Sequence, residues 1–345
     1  MKSILFFLIA MIISFSVSSQ NYFRSGIFLH HSTGQYIWGP NPDGNSTTDI
    51  PEQMHNYNML HSYQGNDSIT MNEEWWAPSD NEWSTQHEFF EGNTSYTDIN
   101  DYLSNNKIIV IKSCFPSSAI EAWGSPSDTL SPTYKSVYNY KWHWRHIIKV
   151  MKNHPDNFFA IWTNAPLETS STTTDEALRS KSFCKWAKDT LAQGLDPVTG
   201  AFPHNVFIFD FFSKLTNANG MMLTQFRTSE YDSHPNGQAT DLIAPQFVQE
   251  IFNAAIAYES YYTNVSGRDI LEKPVCIYPN PATDKIQMNI IPDKTIEVIN
   301  LQGEIVMYMN HSEKQELDVS RLPESFYIVK IMTKDGIFIG NFVKN

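Results

Sequence analysis

Two residues about two hundred positions apart have the types that nucleophilic catalysis needs. Ser32 lies in "FLHHSTGQYIW" (residues 28–38), where an apolar run breaks into a compact polar cluster. His234 lies in "EYDSHPNGQATDLIAPQF", just ahead of a helical pattern. A serine hydroxyl is a weak nucleophile until a base takes its proton, and histidine is the commonest base. Asp232, two residues before the histidine, is placed to orient the imidazole; without it the pair would act as a dyad.

Such chemistry also needs donors for a developing oxyanion. The backbone near Thr33 or Gly34 is one source. Ser113, in "KSCFPSS" after an apolar run, and Asn164, after "FFAIWT", are others. His31 and Trp38 are expected to shape the pocket, with His30 packed behind. The competing role for Ser32 is a helix cap, and for His234 a packing residue.

A metal centre is the weaker alternative. His30 and His31 are adjacent, so on a strand they point to opposite faces. His143 and His146 share a helical face but lack a third ligand nearby in sequence, and no HExxH or paired-cysteine spacing occurs. No metal or other cofactor is expected. Glu73 and Glu74 are too close in sequence to flank one glycosidic bond. Trp75, Trp76 and Trp83, in "NEEWWAPSDNEWSTQHEFF", either stack on sugar rings or anchor a long loop, and anchoring is favoured.

Four apolar runs read as buried strands that position these residues: "GIFLHHS" from Gly26, "KIIVIKSC" from Lys107, "NFFAIWTNAP" from Asn157 and "NVFIFDFF" from Asn205. Between them "WRHIIKVMK" places Trp144, Ile147, Ile148 and Met151 on one helical face. "DEALRSKSFCKWAKDTLAQGLD" opens acidic and closes at Gly194, as a helix should. "DLIAPQFVQEIFNAAIAY" reads as a helix kinked or started near Pro245. Strands alternating with helices imply an α/β fold, a doubly wound parallel sheet in three layers, over residues 20–262. Residues 41–105, polar and weakly periodic, read as an insertion over the C-terminal edge of the sheet.

Residues 1–19 have the charged start, apolar centre and small-residue end of a signal peptide. No other run approaches the length of a membrane span, so no transmembrane segment is expected in the mature chain. Residues 263–273 read as a linker. From 274 to 345 short alternating runs with turn signals between them indicate a small antiparallel β-sandwich. The chain has 345 residues with 41% hydrophobic content and a formal charge of −13, which fits a folded protein. The lack of any basic run argues against nucleic acid as a partner. Three cysteines, Cys114, Cys184 and Cys276, allow at most one bridge. Cys114 and Cys184 are expected to be buried and reduced.

The C-terminal "IYPNPATDKIQM", "IEVINLQGEIV" and "LPESFYIVKIMTKDGIFIGNFVKN" resemble the C-terminal sorting domain of type IX secretion substrates in the Bacteroidetes. One departure is "PESFYIVKI", where that family usually has glycine before the aromatic residue. The resemblance implies the type IX machinery as a partner for residues 274–345, and release from the cell or attachment to its surface. The order of motifs in residues 24–257 resembles the SGNH/GDSL hydrolases. There the nucleophile sits in a Gly-Asp-Ser block after the first strand, and the base in an Asp-x-x-His block before the last helix. "HHST" stands at the first block and "SHPNGQATDLIA" at the last. His30 and His31 replace glycine and aspartate, Tyr231 stands three residues before His234, and no Gly-x-Asn-Asp block follows "KIIVI".

The resemblance implies a divergent, secreted serine esterase acting through an acyl-enzyme. An acylated polysaccharide or a small ester is the expected substrate. The alternative is a catalytically inactive carbohydrate-binding protein on the same fold.

Overall fold

The structure, a computed structural model, describes residues 23–76, 82–92, 98–266, 273–275, 277–288, 294–301, 303–312, 315–333 and 336–345. The expected signal peptide, Cys276 and most of the expected linker lie outside these residues. By internal contacts the chain divides into units Met1–Glu259 and Ser260–Asn345.

The first unit opens with β1 (Ser25–His30), α1 (Ser32–Trp38), α2 (Ile50–His61), β2 (Thr70–Trp75), α3 (Trp83–Phe90) and α4 (Ile99–Asn105). It continues with β3 (Ile108–Ile111), α5 (Val137–Lys152), β4 (Phe158–Trp162), α6 (Thr174–Trp186), β5 (Val206–Phe209) and α7 (Phe211–Leu215). A hairpin of β6 (Arg227–Ser229) and β7 (Asp232–Pro235) leads into α8 (Gly237–Ser266), which starts in this unit and ends past Glu259. The sheet order is β2-β1-β3-β4-β5, with every pairing parallel. The strand order reverses between β1 and β3, which is where ligands bind in such sheets.

Alternation along the strands gives the sheet two covered faces. Leu29, Ile111, Ile161 and Ile208 pack with Phe89 of α3, Trp144 and Ile148 of α5 and Phe183 of α6. On the opposite face Phe28 lies 4.9 Å from Trp162 and 5.3 Å from Phe247 of α8, ring centre to ring centre. Gly26 is fixed by a close approach, since a Cβ there would lie 2.7 Å from Ile108 Cβ on the neighbouring strand.

Two expectations are corrected. Residues 41–105 are not an insertion over the sheet: they supply α2, α3, α4 and the edge strand β2. The sequence "TMNEEW" conceals a strand because one side of an edge strand meets solvent, so only Met71 is buried. α8 does not start near Pro245, which lies inside it; the helix runs from Gly237 to Ser266, into the expected linker.

Helix α6 shows how local sequence sets a boundary. Thr173 Oγ1 accepts from the Glu176 amide while Glu176 Oε2 accepts from the Thr173 amide, a reciprocal cap. Thr173→Ala is expected to cost about 1 kcal/mol in urea denaturation. A loss near zero would mean that packing alone holds the helix start.

The second unit is built of β8 (Lys273–Pro274), β9 (Ile277–Tyr278), β10 (Lys285–Met288), β11 (Lys294–Ile299), β12 (Ile305–Ser312), β13 (Glu316–Asp318), β14 (Ser325–Thr333) and β15 (Gly336–Lys344). One sheet runs β13-β10-β9 and the other β12-β11-β14-β15-β8. The pairings are antiparallel except that of β15 with β8. Ile286, Val298, Val329, Ile331 and Phe342 form its core.

Candidate functional site

Register places the chemistry. Leu29 pairs with Ile111, so continuing both strands by three residues brings Ser32 level with Cys114. Ser32 Oγ lies 3.9 Å from Cys114 Sγ, at the C-terminal ends of β1 and β3. Glycine at position 34 is required here, because a Cβ would lie 2.3 Å from His30 Cβ. His30 is wholly buried, its Nδ1 2.9 Å from the His31 carbonyl and its Nε2 2.8 Å from Glu73 Oε2. Burial, with the charge of Lys112 adding to it, pushes the His30 pKa down to about 4, so the ring is neutral at pH 7.

His234 reaches the same edge from the far end of the unit. Asn41 Nδ2 donates to the Pro235 carbonyl at 3.0 Å and to Thr240 Oγ1 at 2.9 Å. Thr240 Oγ1 in turn donates to the Tyr36 carbonyl at 2.8 Å. These bonds tie the start of α8 to the end of α1. The His234 ring stacks on Tyr36 at 4.5 Å and meets Phe115 edge-on at 5.0 Å. Tyr36 lies one helical turn beyond Ser32, on the same face of α1, and Phe115 follows Cys114. The ring is thus held between the neighbours of Ser32 and of Cys114.

Asp232 Oδ1 lies 2.6 Å from His234 Nδ1 and also accepts the His234 backbone N–H at 2.9 Å. An Nδ1–H donated to the carboxylate leaves Nε2 as the basic nitrogen. That Nε2 is buried and has no hydrogen-bond partner among the described residues. It does not bond Ser32, whose hydroxyl has Cys114 as its partner.

The remaining site residues divide. Ser113 is buried with its hydroxyl unpartnered, as is the Thr33 hydroxyl, so both stay available as donors. The Gly34 amide does not, because it donates to the His31 carbonyl at 2.8 Å within the first helical turn. Asn164 is likewise removed from the donor set. Its Oδ1 accepts from Trp83 Nε1 at 3.0 Å and its Nδ2 donates to Ser180 Oγ at 2.9 Å, inside the core. Trp38 sits six residues along α1 from Ser32, its ring 6.5 Å from Phe28, and the ring beside His234 is Tyr36 instead. His31 stacks on Trp75 at 5.0 Å. Trp76 and Trp83 are buried, whereas Trp75 is 55% exposed.

Two residues missed by sequence reasoning stand here. Cys114 hydrogen-bonds His31 and Ser32. Burial alone would raise its thiol pKa, but these bonds and the charge of Lys112 outweigh it and hold the pKa below its ordinary value. Lys112 is wholly buried, its Nζ lacks a hydrogen-bond partner, and desolvation lowers its pKa to about 8. Parallel-strand register was the signal that could have paired Cys114 with Ser32.

His143 and His146 meet a third histidine, His87, but His87 Nδ1 is 2.9 Å from His143 Nδ1, and His143 Nε2 is 2.8 Å from the Pro132 carbonyl. Among the described residues no group of three His, Cys, Asp or Glu is arranged to hold a metal ion. Nor does any described helix have the length and apolarity to cross a membrane.

Residues 276–345 match the family described as "Secretion system C-terminal sorting domain". The chain ends in a type IX secretion sorting domain. It is therefore exported by the type IX machinery, which the sorting domain engages, to the cell surface or beyond. No curated protein matches the chain. Among solved structures, a Cellulomonas fimi endo-beta-1,4-mannanase double mutant aligns with 92% of this chain and 63% of its own, at 11% identity and a TM-score of 0.23. The chain spans less than two thirds of that protein, and a likeness this slight carries no argument about activity.

Proposed function

We propose that the first unit is an SGNH-like serine esterase that the sorting domain delivers outside the cell. The observation that carries this reading is His234 Nε2, buried and unpartnered on a ring that Asp232 orients and that stacks on Tyr36, one helical turn beyond Ser32. Ser32 Oγ attacks the acyl carbon as Nε2 takes its proton, and Asp232 stabilises the imidazolium. The Thr33 amide and the Ser113 hydroxyl receive the oxyanion. Nε2 returns the proton to the departing alcohol, and water then releases the acyl group by the same route. The missing Ser32–His234 bond fits an unliganded site, where such contacts are commonly long. Trp75, stacked on His31 and exposed over about half of the residue, favours an acylated sugar over a small free ester.

The same missing bond is the observation that favours a second reading, a carbohydrate-binding protein that has lost catalysis. A fluorophosphonate probe separates the two. Esterase chemistry predicts an adduct mapped by mass spectrometry to Ser32, absent in Ser32→Ala and in His234→Ala. Folded wild-type protein that takes up no probe overturns the esterase and leaves the binding protein.

A further inference from the structure

Cys114 is not a generic buried thiol. Its sulfur faces Ser32 Oγ at 3.9 Å and takes a hydrogen bond from His31. Two residues back, Lys112 places an ammonium group in the interior with no hydrogen-bond acceptor among the described residues. Its charge acts on Cys114 and on His30, and His30 offers no negative charge in return. An interior cation without a counter-charge is costly, and a thiolate at Cys114 supplies one. Burial pushes the Cys114 thiol up, but the hydrogen bonds from His31 and Ser32 and the charge of Lys112 outweigh it and leave its pKa below the ordinary thiol value. Cys184, on α6, provides the contrast: it too is buried, and desolvation pushes its thiol far up.

We infer that Cys114 is a peroxide-reactive thiol whose oxidation switches off the Ser32 site. The switch presupposes that Ser32 is the nucleophile, as proposed above; the reactivity of the thiol does not. The sulfur attacks one oxygen of hydrogen peroxide, forming an S–O bond as the O–O bond breaks. The departing hydroxide takes a proton and leaves as water. Sulfur loses two electrons and the peroxide gains them, giving a sulfenic acid. Because the sulfur lies 3.9 Å from Ser32 Oγ, the added oxygen stands against the serine, where it blocks the approach of an acyl group and offers the hydroxyl a stronger hydrogen-bond partner. Two reducing thiols restore it: the first forms a mixed disulfide with Cys114 as water leaves, and the second attacks that disulfide, forming its own disulfide and releasing the Cys114 thiol.

The test exposes the purified protein to hydrogen peroxide with dimedone, which traps sulfenic acids, and follows each cysteine peptide by mass spectrometry. The Cys114 adduct is expected to form at least ten times faster than that of Cys184, and Lys112→Met is expected to slow it at least fivefold while the fold holds by circular dichroism. Without dimedone, fluorophosphonate labelling of Ser32 should fall in step with Cys114 oxidation and return with dithiothreitol. A Cys114 adduct no faster than that of Cys184 overturns the reactive thiol, whatever Ser32 does. Undiminished Ser32 labelling on oxidised Cys114 overturns the switch. Untreated protein that never labels at Ser32 overturns the serine reading and the switch together, while the adduct rate still judges the thiol.

Discussion

His234→Ala is expected to lower kcat/KM for 4-nitrophenyl acetate by about 10⁴-fold, because the serine loses its base and the leaving group its acid. Asp232→Asn should behave differently from the loss of a triad acid whose replacement reverses the imidazole tautomer. Here the oxygen that receives Nδ1–H also accepts the His234 backbone N–H, at 2.9 Å. That second bond keeps a carboxamide oxygen, not its NH2, turned to the ring, so the tautomer is preserved and only the negative charge is lost. The expected cost is about 10²-fold in kcat with KM nearly unchanged, matching stabilisation made in the transition state. Asp232→Ala, which removes the acceptor as well, should cost more. Steady-state kinetics on the three variants checks the order, and an unimpaired His234→Ala enzyme would remove the histidine from the mechanism.

Lys112→Met should make the protein more stable. The wild-type side chain is wholly buried, and desolvation depresses its pKa from 10.5 to about 8. A lysine whose folded pKa lies below its unfolded value is more readily protonated when unfolded. Its charge therefore destabilises the fold fully below about pH 8, and that penalty is relieved as pH rises toward 10.5. At pH 7 the shift corresponds to roughly 3 kcal/mol. Methionine has similar length and no charge, so the variant should gain on the order of this amount, shrinking below about 1 kcal/mol by pH 10. Urea denaturation of both proteins across that range provides the measurement. A loss of stability at pH 7 would mean that the ammonium has a counter-charge in the folded protein. A gain would mark Lys112 as retained at a cost to stability, as functional groups often are.

What the sequence determined by itself was everything carried by short-range pattern. The apolar runs ending at His30, Ile111, Trp162 and Phe209 gave four parallel strands, since a strand covered on both faces must be apolar throughout. Alternation and turns gave the C-terminal sheets, and the motif order there gave the sorting domain. Ser32, His234 and Asp232 stood out because serine, histidine and aspartate at a strand end and a helix start are rarely needed for packing.

The tertiary structure decided what depends on partners distant in the chain. β2 escaped notice because an edge strand is buried on only part of its surface, so its residues carry no continuous apolar signal. Asn164 resembled a free donor until Trp83, 81 residues away, occupied its oxygen. Gly34 lost its amide to the first turn of α1, a matter of backbone geometry that residue type does not encode. Trp75 and Trp76 are neighbours in sequence, yet one is exposed and the other buried, because the site edge and the core lie on opposite sides of the same strand end. Cys114 became part of the site through register alone: three residues past Ile111 is level with three residues past Leu29. Local periodicity fixes which residues point inward, but only the pairing of strands fixes which of them meet.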